Sequence, residues 1–167
     1  GTCLPSLCGP CLRCWGLRPG GPLAGPVVAA AVIFATKVDI AGLDDSKKLS
    51  PKKREELFPQ IQASASAYGI AIVNREVIDE INILQASRLA MKQAVEQLQP
   101  IPDLLLIDGS QKIDSALDQW AIVRGDSKSL SIAAASVLAK VSRDRIMEDY
   151  HKIYPQYEFH RHKGYGT

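Results

Sequence analysis

No cysteine follows residue 14 in this chain of 167 residues. The bulk of the sequence therefore has no disulfide framework, must rely on a packed core, and suits a reducing compartment. No run of about 20 apolar residues without charge occurs, which excludes a spanning helix of ordinary length. The opening residues do not have the composition expected of a secretory leader. Residues 1–20 carry only Arg13 and Arg18 as basic groups, both late, and three prolines interrupt them. The expected location is cytoplasmic, with no membrane partner. Strong charge of one sign is also absent. The 20 basic and 18 acidic residues leave a net charge of +2, too little to identify a nucleic-acid partner. There is no internal repeat and no low-complexity tract.

What is present fits one soluble globular domain. Apolar residues make up 46% and charged residues 23%, and the length permits a sizeable core. The basic charge is clustered. Residues 47–54 (KKLSPKKR) hold five basic side chains and no acid, and residues 140–163 hold six basic residues and three histidines against four acids. Such clusters suit phosphates, although a solvated helix face has the same composition.

Strands and helices alternate along the chain. Residues 1–20, with Pro5, Pro10, Pro19 and four glycines, show neither period and are expected to be irregular. Pro26 permits a strand to begin after it, and VVAAAVIF (27–34) reads as that strand, buried. Ser50 before Pro51 is a helix start, and the helix is expected to reach about residue 63. YGIAIVN (68–74) reads as a second strand. Apolar residues at 77, 78, 81 and 84, then 91, 94, 95 and 98, have helical spacing up to Pro100. DLLLIDG (103–109) is a strand buried on both faces, and WAIVRGD (120–126) repeats its pattern. A helix rich in small residues follows from about 129 to 152, then an aromatic and basic loop. The fold class is α/β, layered.

Two apolar runs close on an aspartate beside a glycine, at Asp108 and Asp126. The carboxyl ends of strands are where layered α/β folds bind ligands. Two carboxylates brought together there repel unless a cation lies between them, and hard oxygen donors suit magnesium or manganese. Asp-Gly as a plain turn is the competing reading. DSKKLS (45–50) sets a hydroxyl and two lysines ahead of a helix start, which suits a phosphate. HRHKGYGT (160–167) joins histidine, lysine and Tyr165, an aromatic placed to stack on a sugar or base. The run Cys3, Cys8, Cys11, Cys14 has the spacing of a zinc or iron–sulfur site but no knuckle pattern around it and no nearby histidine.

Together GPLAGPVVAAAVI, LDDSKKLS, IDEINILQAS, LLIDG, GDSKSLSIAAASVLAKVSRDRIM and YPQYEFHRHKGYGT resemble, in order and spacing, the signature blocks of bacterial ribonuclease HII, the type 2 ribonuclease H, over Gly21 to Thr167. The resemblance implies a ribonuclease H-like fold, a mixed five-stranded sheet flanked by helices. It implies an endonuclease that cuts the RNA strand of RNA–DNA hybrids, including single ribonucleotides in DNA, by two-metal-ion hydrolysis with Mn2+ or Mg2+ held by four acids. Two of those acids fall on Asp108 and Asp126. Ser46, Lys47 and Lys48 fall on a segment that contacts the nucleic-acid backbone. Tyr165 falls on the residue that stacks on the sugar at the RNA–DNA junction, and His162 and Lys163 line the same groove. Asp144 is expected to be supporting or structural. The implied partner is an RNA–DNA hybrid or ribonucleotide-containing duplex, and a monomer is expected.

The front end departs from this pattern. The family has Asp-Glu, one residue, then Gly-Arg-Gly before its GPLAGPV block. Here Gly16 and Leu17 take the acid places, and Pro19 and Gly20 take the first Gly and the Arg places. Pro19 also lacks the amide hydrogen of a backbone reader. Residues 1–20 are accordingly expected to be a non-family segment, as from a shifted reading frame, with the first strand disrupted and a ribonuclease H-like domain over 21–167 that is incomplete at its C-terminus. Three readings follow: a hybrid endonuclease impaired by loss of two acids, an inactive nucleic-acid-binding remnant, or a cysteine-based metal or redox module.

Overall fold

The computed structural model describes residues 11–15, 25–43 and 48–162. Five strands form one mixed sheet, β1 (Cys11–Trp15), β2 (Val27–Ile33), β3 (Ala67–Val73), β4 (Leu104–Asp108) and β5 (Asp118–Ile122), in the spatial order β3-β2-β1-β4-β5. The helices are α1 (Pro51–Ser64), α2 (Arg75–Glu96), α3 (Leu130–Ile153) and the short α4 (Phe159–His162). β2 runs antiparallel to both β1 and β3, while β1 and β4, and β4 and β5, are parallel. Four strands thus point one way, and their carboxyl ends, Trp15, Val73, Asp108 and Ile122, share one end of the sheet.

The expected disruption of the first strand is corrected. Cys11–Trp15 pairs with Val28–Val32 on one side, and Cys11 and Leu12 pair with Leu106 and Ile107 on the other. Backbone hydrogen bonds do not read side chains, so two well-formed neighbours recruit a segment whose composition is poor for a strand. Residues 1–10 and 16–24 lie outside the described residues.

β2 is buried on both faces, as its unbroken apolar run requires. Val28, Ala30, Val32 and Phe34 pack with Leu57, Ile61 and the alanines of α3, while Val27, Ala29 and Ala31 pack with Ala86, Ala90 and Ala94 of α2. Alanine at these helical positions lets both helices lie close to the sheet. The limit is reached at Gly69 in β3, where a Cβ would collide with the carbonyl oxygen of Ala94. The side chain of Gln97 then accepts from the Ile70 amide (3.2 Å) and donates to its carbonyl (2.9 Å), imitating a strand partner on the outer edge of β3.

Ser50 caps α1 by accepting from the Lys53 amide at 3.2 Å, with Pro51 in the first turn. α2 breaks at Asn82 (φ 67°), whose Oδ1 accepts from the Gln85 amide at 3.0 Å and restarts the helix. The C-terminal loop expectation is corrected in part: Pro155–Tyr157 forms a 3₁₀ turn and α4 follows it. Among the described residues no helix is long and apolar enough to cross a membrane.

Asp144 ties α1 to α3. Its carboxylate lies 4.0 Å from the buried Arg54 guanidinium and 3.8 Å from Lys140 Nζ, and Arg54 also donates to the Leu49 carbonyl at 2.5 Å. Burial pushes Arg54 below its ordinary pKa, and the Asp144 charge opposes that shift. Two predictions follow from this packing. Gly69→Ala should destabilise the domain by about 1–3 kcal/mol, the range for overpacking a closed contact. Asp144→Ala should cost about 3 kcal/mol by stranding a buried cation. Denaturant unfolding of each variant measures both.

Candidate metal centre

β4 is a buried strand that emerges at its last residue. Leu105, Leu106 and Ile107 are almost fully enclosed, whereas Asp108 is half-buried. Gly109 (φ +113°) turns the chain in a conformation that side chains rarely adopt, and its amide donates to the Ile122 carbonyl at 3.0 Å. β5 lies alongside with Ile122 level with Asp108. Beyond it, Arg124 takes a left-handed conformation (φ 55°, ψ 43°) and leads into a 3₁₀ turn over Gly125–Ser127.

That turn meets the strand tip. The Gly125 amide donates to Asp108 Oδ1 at 2.8 Å. The next residue, Asp126, is 2% exposed. The turn is knitted by its own backbone. Ser127 donates to the Arg124 carbonyl from its amide (3.2 Å) and its hydroxyl (2.9 Å), and the Lys128 and Ser129 amides donate to the Gly125 carbonyl at 3.0 and 2.8 Å. α3 begins directly afterwards.

The expectation that Asp126 closes a strand is corrected. β5 ends at Ile122, and Asp126 sits in the turn beyond it. β5 is also an exposed edge rather than a second fully buried strand, with Trp120 52% exposed. The two acids are nevertheless brought to one end of the sheet, because the amide preceding one is bonded to the carboxylate of the other. The remaining candidates are less informative. Lys48 is exposed in the loop before α1. Ser46 and Lys47 lie outside the described residues, as do Lys163 and Tyr165. His162 ends α4, and only its backbone is described. Asp144 belongs to the α1–α3 contact. Cys3 and Cys8 lie outside the described residues, while Cys11 and Cys14 lie in a strand paired on both edges rather than on the turn a Cys-x2-Cys site uses.

Asp108 and Asp126 offer hard oxygen donors only. Magnesium is commonly held by one or two carboxylates, with water and substrate phosphate completing the shell, rather than by an all-protein cage. Manganese accepts the same donors. The donor chemistry of the pair suits such a cation. Among the described residues no group of three or more His, Cys, Asp or Glu gathers to hold one. Sequence reading missed Gly125.

The family model described as Ribonuclease HII matches residues 20–167. Ribonuclease HII of Geotalea uraniireducens (strain Rf4) is 61% identical over 146 residues, covering 87% of this chain and 68% of that protein. Ribonuclease HII of Acetivibrio thermocellus is 58% identical over 147 residues, covering 88% of this chain and 57% of that one. Among solved structures, the ribonuclease H2 from Pyrococcus horikoshii OT3 superposes with a TM-score of 0.71 at 23% identity, covering 87% of this chain and 77% of that one. Bst-RNase HIII in complex with Mn2+ superposes with a TM-score of 0.67 at 19% identity, covering 86% and 55%. The fold is ribonuclease H-like, and the chain belongs to the ribonuclease HII family.

Proposed function

We propose that the chain is a hybrid-directed endonuclease scaffold, and that it hydrolyses slowly because Gly16 and Leu17 stand where the family's acid pair belongs. The substrate is the RNA strand of an RNA–DNA hybrid, or a single ribonucleotide in duplex DNA. The observation that carries this reading is the hydrogen bond from the Gly125 amide to Asp108 Oδ1, which brings two aspartates to one end of the sheet.

Asp108 and Asp126 would hold a divalent cation, Mn2+ or Mg2+. Such a cation, when bound, neutralises a scissile phosphate and makes water a competent nucleophile at neutral pH. The chain's own residues do the positioning. The β4 tip and the turn at Gly125–Ser127 present both carboxylates from rigid backbone. Lys48 offers an exposed cation to the nucleic-acid backbone, with Ser46 and Lys47 assigned to the same contact. Tyr165 is assigned to stacking on the junction sugar, with His162 and Lys163 beside it. β1 supports the deficit as well as the site. It ends at Trp15, at the same end of the sheet as Asp108, immediately before the positions where Gly16 and Leu17 replace the acids.

The test is cleavage of a duplex carrying one embedded ribonucleotide, with Mn2+ present. A chain with Gly16→Asp, Leu17→Glu, Pro19→Gly and Gly20→Arg should cut about a thousandfold faster than the chain as it stands, corresponding to about 4 kcal/mol of transition-state stabilisation. Asp108→Asn in the restored chain should abolish the gain. Equal rates before and after restoration would contradict the assignment. Tight binding of the duplex without cleavage by either chain would favour a nucleic-acid-binding remnant.

A further inference from the structure

We propose that Gly125 is a positioning residue for the metal centre, whose main-chain amide sets where the Asp108 carboxylate stands relative to Asp126. This rests on the reading that those two aspartates hold a divalent cation.

A carboxylate at a strand tip can rotate about two side-chain bonds, and each rotation moves its oxygens by more than a cation's coordination shell tolerates. One of those oxygens, Oδ1, is held at 2.8 Å by the Gly125 N–H. The donor is not a side chain that can swing away. It is main chain, in a turn closed by four further hydrogen bonds, two to the Arg124 carbonyl and two to the Gly125 carbonyl. It also precedes Asp126 directly, so the same peptide segment that grips one acid carries the other. The Asp108 carboxylate is therefore registered against the backbone that carries Asp126.

This requirement explains why residue 125 has no side chain. A Cβ there would lie 2.5 Å from Ile132 Cδ1 and 3.4 Å from Asp108 Oδ1. Ile132 is fully buried in the first turn of α3, packed with Leu106 of β4. A side chain would force the turn off Ile132 and so disturb the register of its amide on Asp108. The left-handed Arg124 is part of the same device, since it reverses the chain after β5 so that the next amide faces β4. Glycine at 125 is thus demanded by the close packing of the turn on Ile132, while the unusual backbone angle falls on its neighbour.

The experiment separates placement from folding. Gly125→Ala is combined with Ile132→Val, which removes the Cδ1 atom that would collide, and Mn2+ binding is followed by calorimetry alongside thermal melting. Ile132→Val alone should bind Mn2+ like the native chain. Gly125→Ala alone should bind Mn2+ at least about tenfold more weakly than the native chain, and the double variant, with the collision relieved, should recover most of that affinity. Such a rescue follows the position of the amide rather than the loss of glycine itself. Native affinity in Gly125→Ala, or no recovery in a folded double variant, would overturn the proposal. Asp108→Asn/Asp126→Asn is the control. If it binds Mn2+ as well as the native chain does, the metal reading itself fails and takes this inference with it. Should the double variant not fold, a Mg2+ titration of the native chain decides, followed by amide resonances. The Gly125 amide must shift together with the cation, and an unmoved Gly125 would overturn the proposal.

Discussion

A hydrogen bond from a main-chain amide to a carboxylate joins the two halves of this site. The Gly125 amide and the Asp108 carboxylate come from segments seventeen residues apart, and their contact at 2.8 Å registers the turn after β5 against the tip of β4. It fastens the last residue of β4 to the turn that carries Asp126. With it, one buried and one half-buried carboxylate are delivered to the same end of the sheet by rigid elements. A hydrogen bond to a charged acceptor is among the stronger kinds, and a donor fixed in backbone loses little entropy in making it.

The rest of the fold holds that contact in place. Parallel pairing of β4 and β5 sets Ile122 level with Asp108, and α3 starts as soon as the turn is complete. α3 lies close to the sheet because its inward face is largely alanine, and its other side is tied to α1 by Asp144 and by Arg145, which bridges to Glu55 at 2.6 Å and lies over the Phe58 ring at 4.4 Å. The charged residues of this contact brace the helix that follows the turn. The sheet end is thus built by packing, and the chemistry is placed upon it by turns.

Much of this was legible in the residues, and the exceptions have physical causes. β2 and β4 announce themselves because a strand covered on both faces needs an unbroken apolar run. The start of α1 is written in Ser50 and Pro51, whose capping chemistry is local. Asp108 was found because an apolar run ends there. Asp126 was found for an imperfect reason, since its apolar run stops at the edge strand and the acid belongs to the turn beyond. β1 was missed because its strand state comes from neighbours distant in sequence, with no signal in CLRCW itself. Gly125 was missed because a backbone donor leaves no trace in side-chain chemistry, and its partner is Asp108, far away along the chain.

The central claim is that Asp108 and Asp126 share a divalent cation. Crystals of the chain grown with Mn2+ and measured at the manganese absorption edge test it most directly. The account predicts an anomalous peak in contact with a carboxylate oxygen of each aspartate, with the Gly125 amide still bonded to Asp108. Manganese bound elsewhere, or carboxyl groups directed to opposite faces of the sheet, would contradict it.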